Sequence, residues 1–217
     1  MALVKICGLT SVADALAAAE TGADWLGLNF HPPSPRYLDE QTACSIVAAL
    51  PQNIEVVGLF VDRPTREILA IAKRVGLHIV QLHGDEPIEA IRELQNAGLQ
   101  VVRAFRLADN AAITLMTDWL KAVEQLGAAP MAVLVDAYHP SMRGGTGQAI
   151  PDDLLGLLPA SIRGRLILAG GLTPENVAER VRTNQPWMVD TASGVESAPG
   201  KKDTSRMASF IRAAKQA

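Results

Sequence analysis

LVKICGLTSVADALAAAETGADWLGLNF, residues 3–30, holds the pattern on which the fold turns. LVKIC is a short aliphatic run and GLT a loop. From Ser11 onward the apolar residues Val12, Ala15, Leu16 and Ala19 fall three and four apart, on one face of a helix. Ser11 with Asp14 makes a capping-box pattern and Gly22 a stop signal, after which WLGLNF (25–30) opens a second aliphatic run. The stretch therefore reads as strand, loop, helix, strand.

The same unit recurs along the chain in pattern, though not in sequence. Further strand-like runs are IEVVGLF (54–60), HIVQLH (78–83), QVVRAF (100–105), MAVLVD (131–136), RLILA (165–169) and WMVD (187–190). Most are near-continuous apolar runs, as strands covered on both faces should be. Helical patterns lie between them, as in PTREILAIAKRVG, where Pro64 suits a first helical turn and Gly76 the end. Eight βα units of about 27 residues account for the 217-residue chain, and the alternating order implies a parallel sheet with right-handed crossovers. Eight such units close into a single α/β domain, a (β/α)8 or TIM barrel. An open doubly wound sheet competes, but the first turn, CGLTS, lacks the glycine fingerprint of a dinucleotide site.

Composition narrows the function classes. With a net charge of −3, 4% aromatic residues and no basic run, nucleic acid is not an expected partner. No apolar stretch of ~18 residues occurs, and MALVK leads straight into a strand, so a soluble, unexported protein with no membrane partner is expected. Cys7 and Cys44 are far apart, with no CxxC and no His cluster at ligand spacing, which argues against zinc or a disulfide framework and for a reducing cytoplasm. No broad apolar stripe is left once the helices are assigned, so a monomer is expected.

In this fold, active sites gather at the C-terminal ends of the strands. Those ends carry Cys7, Asn29, Asp62, His83, Arg106, Asp136, Gly170-Gly171 and Asp190. Strand 7 runs into AGGLTPENV, where Gly170 and Gly171 let backbone amides approach a ligand and Thr173-Pro174-Glu175 opens a helix. Strand 8 runs into VDTASGVE, where Ser193 and Gly194 present a hydroxyl and a further amide. Loops after strands 7 and 8 form a recurrent phosphate site in such barrels, so a phosphorylated small molecule is the expected ligand.

The motifs KICGLT, FHPPSPRYL, QLHGDE, LVDAY followed by GGTG, AGGLTPENV and VDTASGVESAPGKKD, in this order, resemble the phosphoribosylanthranilate isomerase family of tryptophan biosynthesis over residues 3 to 203. The resemblance implies an Amadori rearrangement of N-(5-phosphoribosyl)anthranilate to the 1-deoxyribulose 5-phosphate, without cofactor or metal. It implies Asp136 as general acid, Cys7 as general base and Arg36 as ligand of the anthranilate carboxylate, through the planar fork of a guanidinium. His83 is expected to line the substrate pocket, and Asp190 to orient the loop after strand 8 or touch a ribose hydroxyl.

The chemistry is demanding, because aspartic acid titrates near pH ~4 and cysteine near ~8.5, each away from the form required at neutral pH. Lys5 or local dipoles are the candidates for stabilising a thiolate. Bland readings stand beside these: Cys7 as a small buried hydrophobe, Asp136 as a turn cap, Arg36 as a solvated loop residue and His83 as a structural histidine. Cys44, in helical TACSIVAAL, reads as core. The glycine-rich stretch 137–149 reads as a lid over the mouth. Two rivals remain: a non-catalytic phosphosugar-binding barrel, and a histidine-pathway aminoaldose isomerase, whose duplicated phosphate loop and strand 1 aspartate are missing here.

Overall fold

In the computed structural model, which describes residues 1–137 and 149–217, the eight aliphatic runs are parallel strands that close on themselves in chain order. They are β1 (Leu3–Cys7), β2 (Trp25–Asn29), β3 (Glu55–Phe60), β4 (Ile79–Leu82), β5 (Gln100–Leu107), β6 (Ala132–Ala137), β7 (Leu166–Leu168) and β8 (Met188–Thr191), with β8 pairing back onto β1. Between and after them run α1 (Val12–Glu20), α2 (Glu40–Ala49), α3 (Thr65–Val75), α4 (Ile88–Asn96), α5 (Asn110–Gln125), α6 (Asp152–Gly156), α7 (Val177–Asn184) and α8 (Thr204–Lys215). A small antiparallel hairpin, β9 (Glu196–Ala198) and β10 (Lys201–Lys202), separates β8 from α8 and has no counterpart in the sequence reading.

Local chemistry starts several helices. Ser11 Oγ accepts the Asp14 amide at 3.1 Å, and Asp39, Asp109 and Asp203 cap α2, α5 and α8 in the same way. Gly76 closes α3 in the left-handed region at φ +81. Two expectations shift. Pro64 precedes α3 instead of entering its first turn. Thr173 to Asn176 form a turn, with Asn176 Oδ1 accepting the Thr173 amide, and α7 begins only at Val177.

Side-chain alternation divides the molecule into two cores. Outward residues such as Val4, Ile6, Val80, Val101, Val133 and Leu168 pack under the helices. Inward residues, among them Trp25, Val57, Ile79, Val102, Leu134, Ile167 and Met188, fill the barrel. Each such side chain contributes roughly 1.5–3 kcal/mol on burial, which is why both strand faces are apolar. Toward the C-terminal end the filling changes character: Lys5, Gln81, His83, Asp136 and Asp190 are all buried polar residues of β1, β4, β6 and β8 or their ends. A packed apolar floor under a polar rim leaves the rim free for chemistry. The expected lid, 137–149, lies outside the described residues except for its two end positions, 137 and 149.

Candidate active site

The interior of β1 carries Lys5 and Cys7, two residues apart and so on the same face. Lys5 is fully buried, and an unpaired ammonium there would be very costly. Its partner is Asp190, its register neighbour on β8, whose Oδ1 accepts Lys5 Nζ at 3.0 Å. Removing either partner alone is expected to destabilise the fold by about 3–5 kcal/mol, read as a lower midpoint in urea. Asp190 thus points into the barrel toward Lys5. On the other side of β1, Gly27 leaves the necessary room. A methyl built on it would stand 2.7 Å from Cys7 Sγ and 3.1 Å from Lys5 Nζ.

The charge around Cys7 is mixed. Burial pushes the thiol up, Lys5 opposes that, Asp190 adds to it, and the net direction is upward. Lys5 therefore favours the thiolate without overcoming desolvation, so the sequence requirement for a stabilised thiolate is met only in part. If Cys7 is the base, kcat/KM rises with pH through a value above the ordinary thiol range. Lys5→Met removes the favourable cation and moves that limb further up. A pH–rate profile of both proteins checks the sign, and an unmoved limb in Lys5→Met would contradict the assignment.

Asp136 lies at the end of β6, inward and buried. Its Oδ1 accepts the Ala137 amide at 2.8 Å, and Oδ2 stands 3.6 Å from His83 Nε2. His83 Nδ1 contacts the Gln81 amide nitrogen at 2.9 Å, so the ring is braced from β4 and its Nε2 is directed at Asp136. Gly170, at φ +83, brings the end of β7 against β6: a methyl there would meet the Ala137 amide nitrogen at 2.7 Å and Asp136 Oδ1 at 3.0 Å.

Asp136, Gly170, Gly171, Leu172, Asp190 and Ser193 line one cavity at the C-terminal mouth. The backbone amides of Gly170, Gly171, Ser193 and Gly194 donate to no other described residue. Such a set of open donors on two adjoining loops suits an anion. The two loops are tied together by Thr191 Oγ1, which donates to the Leu172 carbonyl at 2.8 Å.

Arg36 sits on a loop made rigid by its own residues. Asn29 Oδ1 accepts the His31 amide at 2.8 Å, and Ser34 Oγ accepts both Asn29 Nδ2 and the Arg36 amide at 3.1 Å. Its guanidinium is not open in the way the sequence suggests, because Nε and Nη2 already engage Glu196. Burial works against its charge, but the hydrogen bonds and charge of Glu196 hold it above its ordinary value. Cys44 is half-buried against the outer core, with Sγ 3.5 Å from the Arg74 carbonyl, and remote from the mouth.

Sequence reasoning missed Gln81, Glu196 and Lys202. Gln81 had a visible signal, a lone amide in the aliphatic run IVQL. Glu196 and Lys202 lie within the quoted motif VDTASGVESAPGKKD, but their pairing with Arg36 had no signal, since it is set by the β9–β10 hairpin.

The family described as N-(5'-phosphoribosyl)anthranilate (PRA) isomerase matches residues 4–213. The N-(5'-phosphoribosyl)anthranilate isomerase of Geobacter sulfurreducens is 46% identical over 215 residues, 99% of each chain. A solved phosphoribosyl anthranilate isomerase from Thermotoga maritima superposes with a TM-score of 0.87 at 35% identity over 100% of both chains. A solved isomerase in complex with reduced 1-(o-carboxyphenylamino)-1-deoxyribulose 5-phosphate gives a TM-score of 0.84 at 34% identity, again over 100% of both chains.

Proposed function

The chain belongs to the N-(5'-phosphoribosyl)anthranilate isomerase family, and on that premise we propose that Cys7 is its general base, Asp136 its general acid and Arg36 its ligand for the substrate carboxylate. Its reaction is the isomerisation of phosphoribosylanthranilate to the carboxyphenylamino-deoxyribulose phosphate, a step of tryptophan biosynthesis. Neither rival reading fits a match of this extent: a non-catalytic phosphosugar binder and a histidine-pathway isomerase are both set aside.

The observation that carries the assignment is that Asp136 shares one cavity with the open amides of the loops after β7 and β8, while Cys7 ends β1, the strand paired with β8. The phosphate sits on the amides of Gly170, Gly171, Ser193 and Gly194, and the substrate extends from there across the rim. Asp136 gives a proton to the furanose oxygen as the anthranilate nitrogen pushes the ring open to a Schiff base. Cys7 as thiolate then takes the proton from C2, and the resulting enolamine tautomerises to the aminoketose. His83, directed at Asp136 Oδ2, stabilises the carboxylate left after proton donation. Asp190 acts through Lys5 on Cys7.

A monomer is the assembly this reading prefers, because the large exposed apolar residues among those described, Met1, Tyr37, Leu115 and Leu157, lie in separate segments of the chain. No described helix is long and apolar enough to cross a membrane, and both cysteines are free, which suits the cytoplasm.

The test is the fluorescence decay of freshly generated phosphoribosylanthranilate. The wild type should turn it over. Arg36→Met should raise KM by about tenfold or more, since a charge-assisted pair to the carboxylate is lost. A substrate-independent loss of kcat with KM unchanged would remove Arg36 from the binding role.

A further inference from the structure

Arg36 is oriented before any ligand arrives. Its Nε and Nη2 donate in parallel to Oε1 and Oε2 of Glu196 at 2.7 and 2.8 Å. Glu196 is in turn held by Lys202, whose Nζ donates to Oε1 at 2.9 Å and to the Ala192 carbonyl at 3.0 Å. The Lys202 side chain is wholly covered and that of Glu196 is 5% exposed. The stem of Arg36 lies flat on Gly8, in the left-handed region at φ +76, where an added methyl would overlap Arg36 Cδ. Stem and one edge of the fork are fixed, and Nη1 with the second proton of Nη2 donates to no described residue.

We propose that Glu196 is a positioning residue for substrate recognition: it locks Arg36 so that the open Nη1–Nη2 edge, and not the Nε edge, receives the anthranilate carboxylate. This rests on the role of Arg36 given above. Displacement of Glu196 by the substrate is the competing geometry, and it is unfavourable because Lys202 would be left as a covered ammonium without its partner. Arginine has many rotamers to lose on binding, and Glu196 moves that entropic cost from binding to folding. The negative charge of Glu196 weakens the pull of Arg36 on a second carboxylate, but Lys202 offsets it, and Arg36, Glu196 and Lys202 together remain cationic.

The experiment is calorimetric binding of two ligands: reduced carboxyphenylamino-deoxyribulose phosphate and the same compound with a plain phenyl ring. The ratio of the two affinities isolates the carboxylate and is independent of the folded fraction. Glu196→Gln is close in volume and should lower this ratio by about tenfold while leaving the phenyl ligand within about twofold of wild type. Glu196→Asp, which keeps the charge on a shorter stem, should recover part of it, and gives the same test if the glutamine variant does not fold. An unchanged ratio, or equal weakening of both ligands, would reduce Glu196 to a loop latch and overturn the proposal. Arg36→Met separates the two levels. If it collapses the ratio while Glu196→Gln does not, only the Glu196 inference fails. If it leaves the ratio intact, the carboxylate role of Arg36 fails first.

Discussion

Cys7→Ser and Asp136→Asn are each expected to lower kcat by about 10²–10⁴-fold while binding of a reduced product analogue stays within about threefold of wild type. Serine is smaller than cysteine by little and fits the space Gly27 leaves, but its hydroxyl is far too weak an acid to supply an anion beside Lys5. Asparagine keeps the Oδ1 bond to the Ala137 amide at nearly the same volume, but it has no acidic proton to give and turns an amide NH2 instead of Oδ2 toward His83 Nε2. Both variants are therefore near-isosteric, and a loss of rate cannot be ascribed to a collapsed site if the analogue still binds. Single-turnover decay of substrate fluorescence, with the analogue affinity measured alongside, gives the two quantities. A fully active Cys7→Ser would return Cys7 to the bland reading of a buried small hydrophobe.

Gly194→Ala is expected to damage fold and phosphate binding together. The new methyl would overlap the Leu172 carbonyl oxygen and stand 2.7 Å from Thr191 Oγ1. A backbone carbonyl cannot swing aside as a flexible side chain does, and this one also accepts the Thr191 hydroxyl. The loops after β7 and β8 must separate, at a cost of about 1–3 kcal/mol, or roughly 2–12 °C in Tm for a chain of this size. The same separation spreads the open amides of Gly171 and Ser193, so KM should rise by an order of magnitude or more. Gly156→Ala is the control: nothing lies within 4 Å of its added methyl. It should leave both readouts near wild type. Equal behaviour of the two variants would mean that the close approach of the two loops does not hold the anion site.

The barrel was legible because its signals are local. LVKIC, WLGLNF and their successors alternate sides over a few residues, and the cap at Ser11 acts within one helical turn. Cys7, His83, Asp136, Asp190 and the paired glycines were legible for the same reason: strand ends are read from strands, and this fold gathers strand ends at one mouth. The boundaries that slipped, at Pro64 and at Thr173-Pro174-Glu175, did so because a turn and a first helical turn share residue preferences.

Pairing was decided elsewhere. Lys5 meets Asp190 across 185 residues, and Arg36 meets Glu196 across 160, only after the sheet closes and the β9–β10 hairpin folds back on the β2 loop. A charged residue in a sequence shows what it can bind, not which of several opposite charges it will find. Closure chooses, because a buried charge must be matched by whatever the fold brings within reach. The sequence by itself determined the eight-unit architecture, which strand ends meet and that Lys5 shares a strand face with Cys7; the tertiary structure alone decided that Asp190 holds Lys5 and that Glu196 already occupies one edge of Arg36.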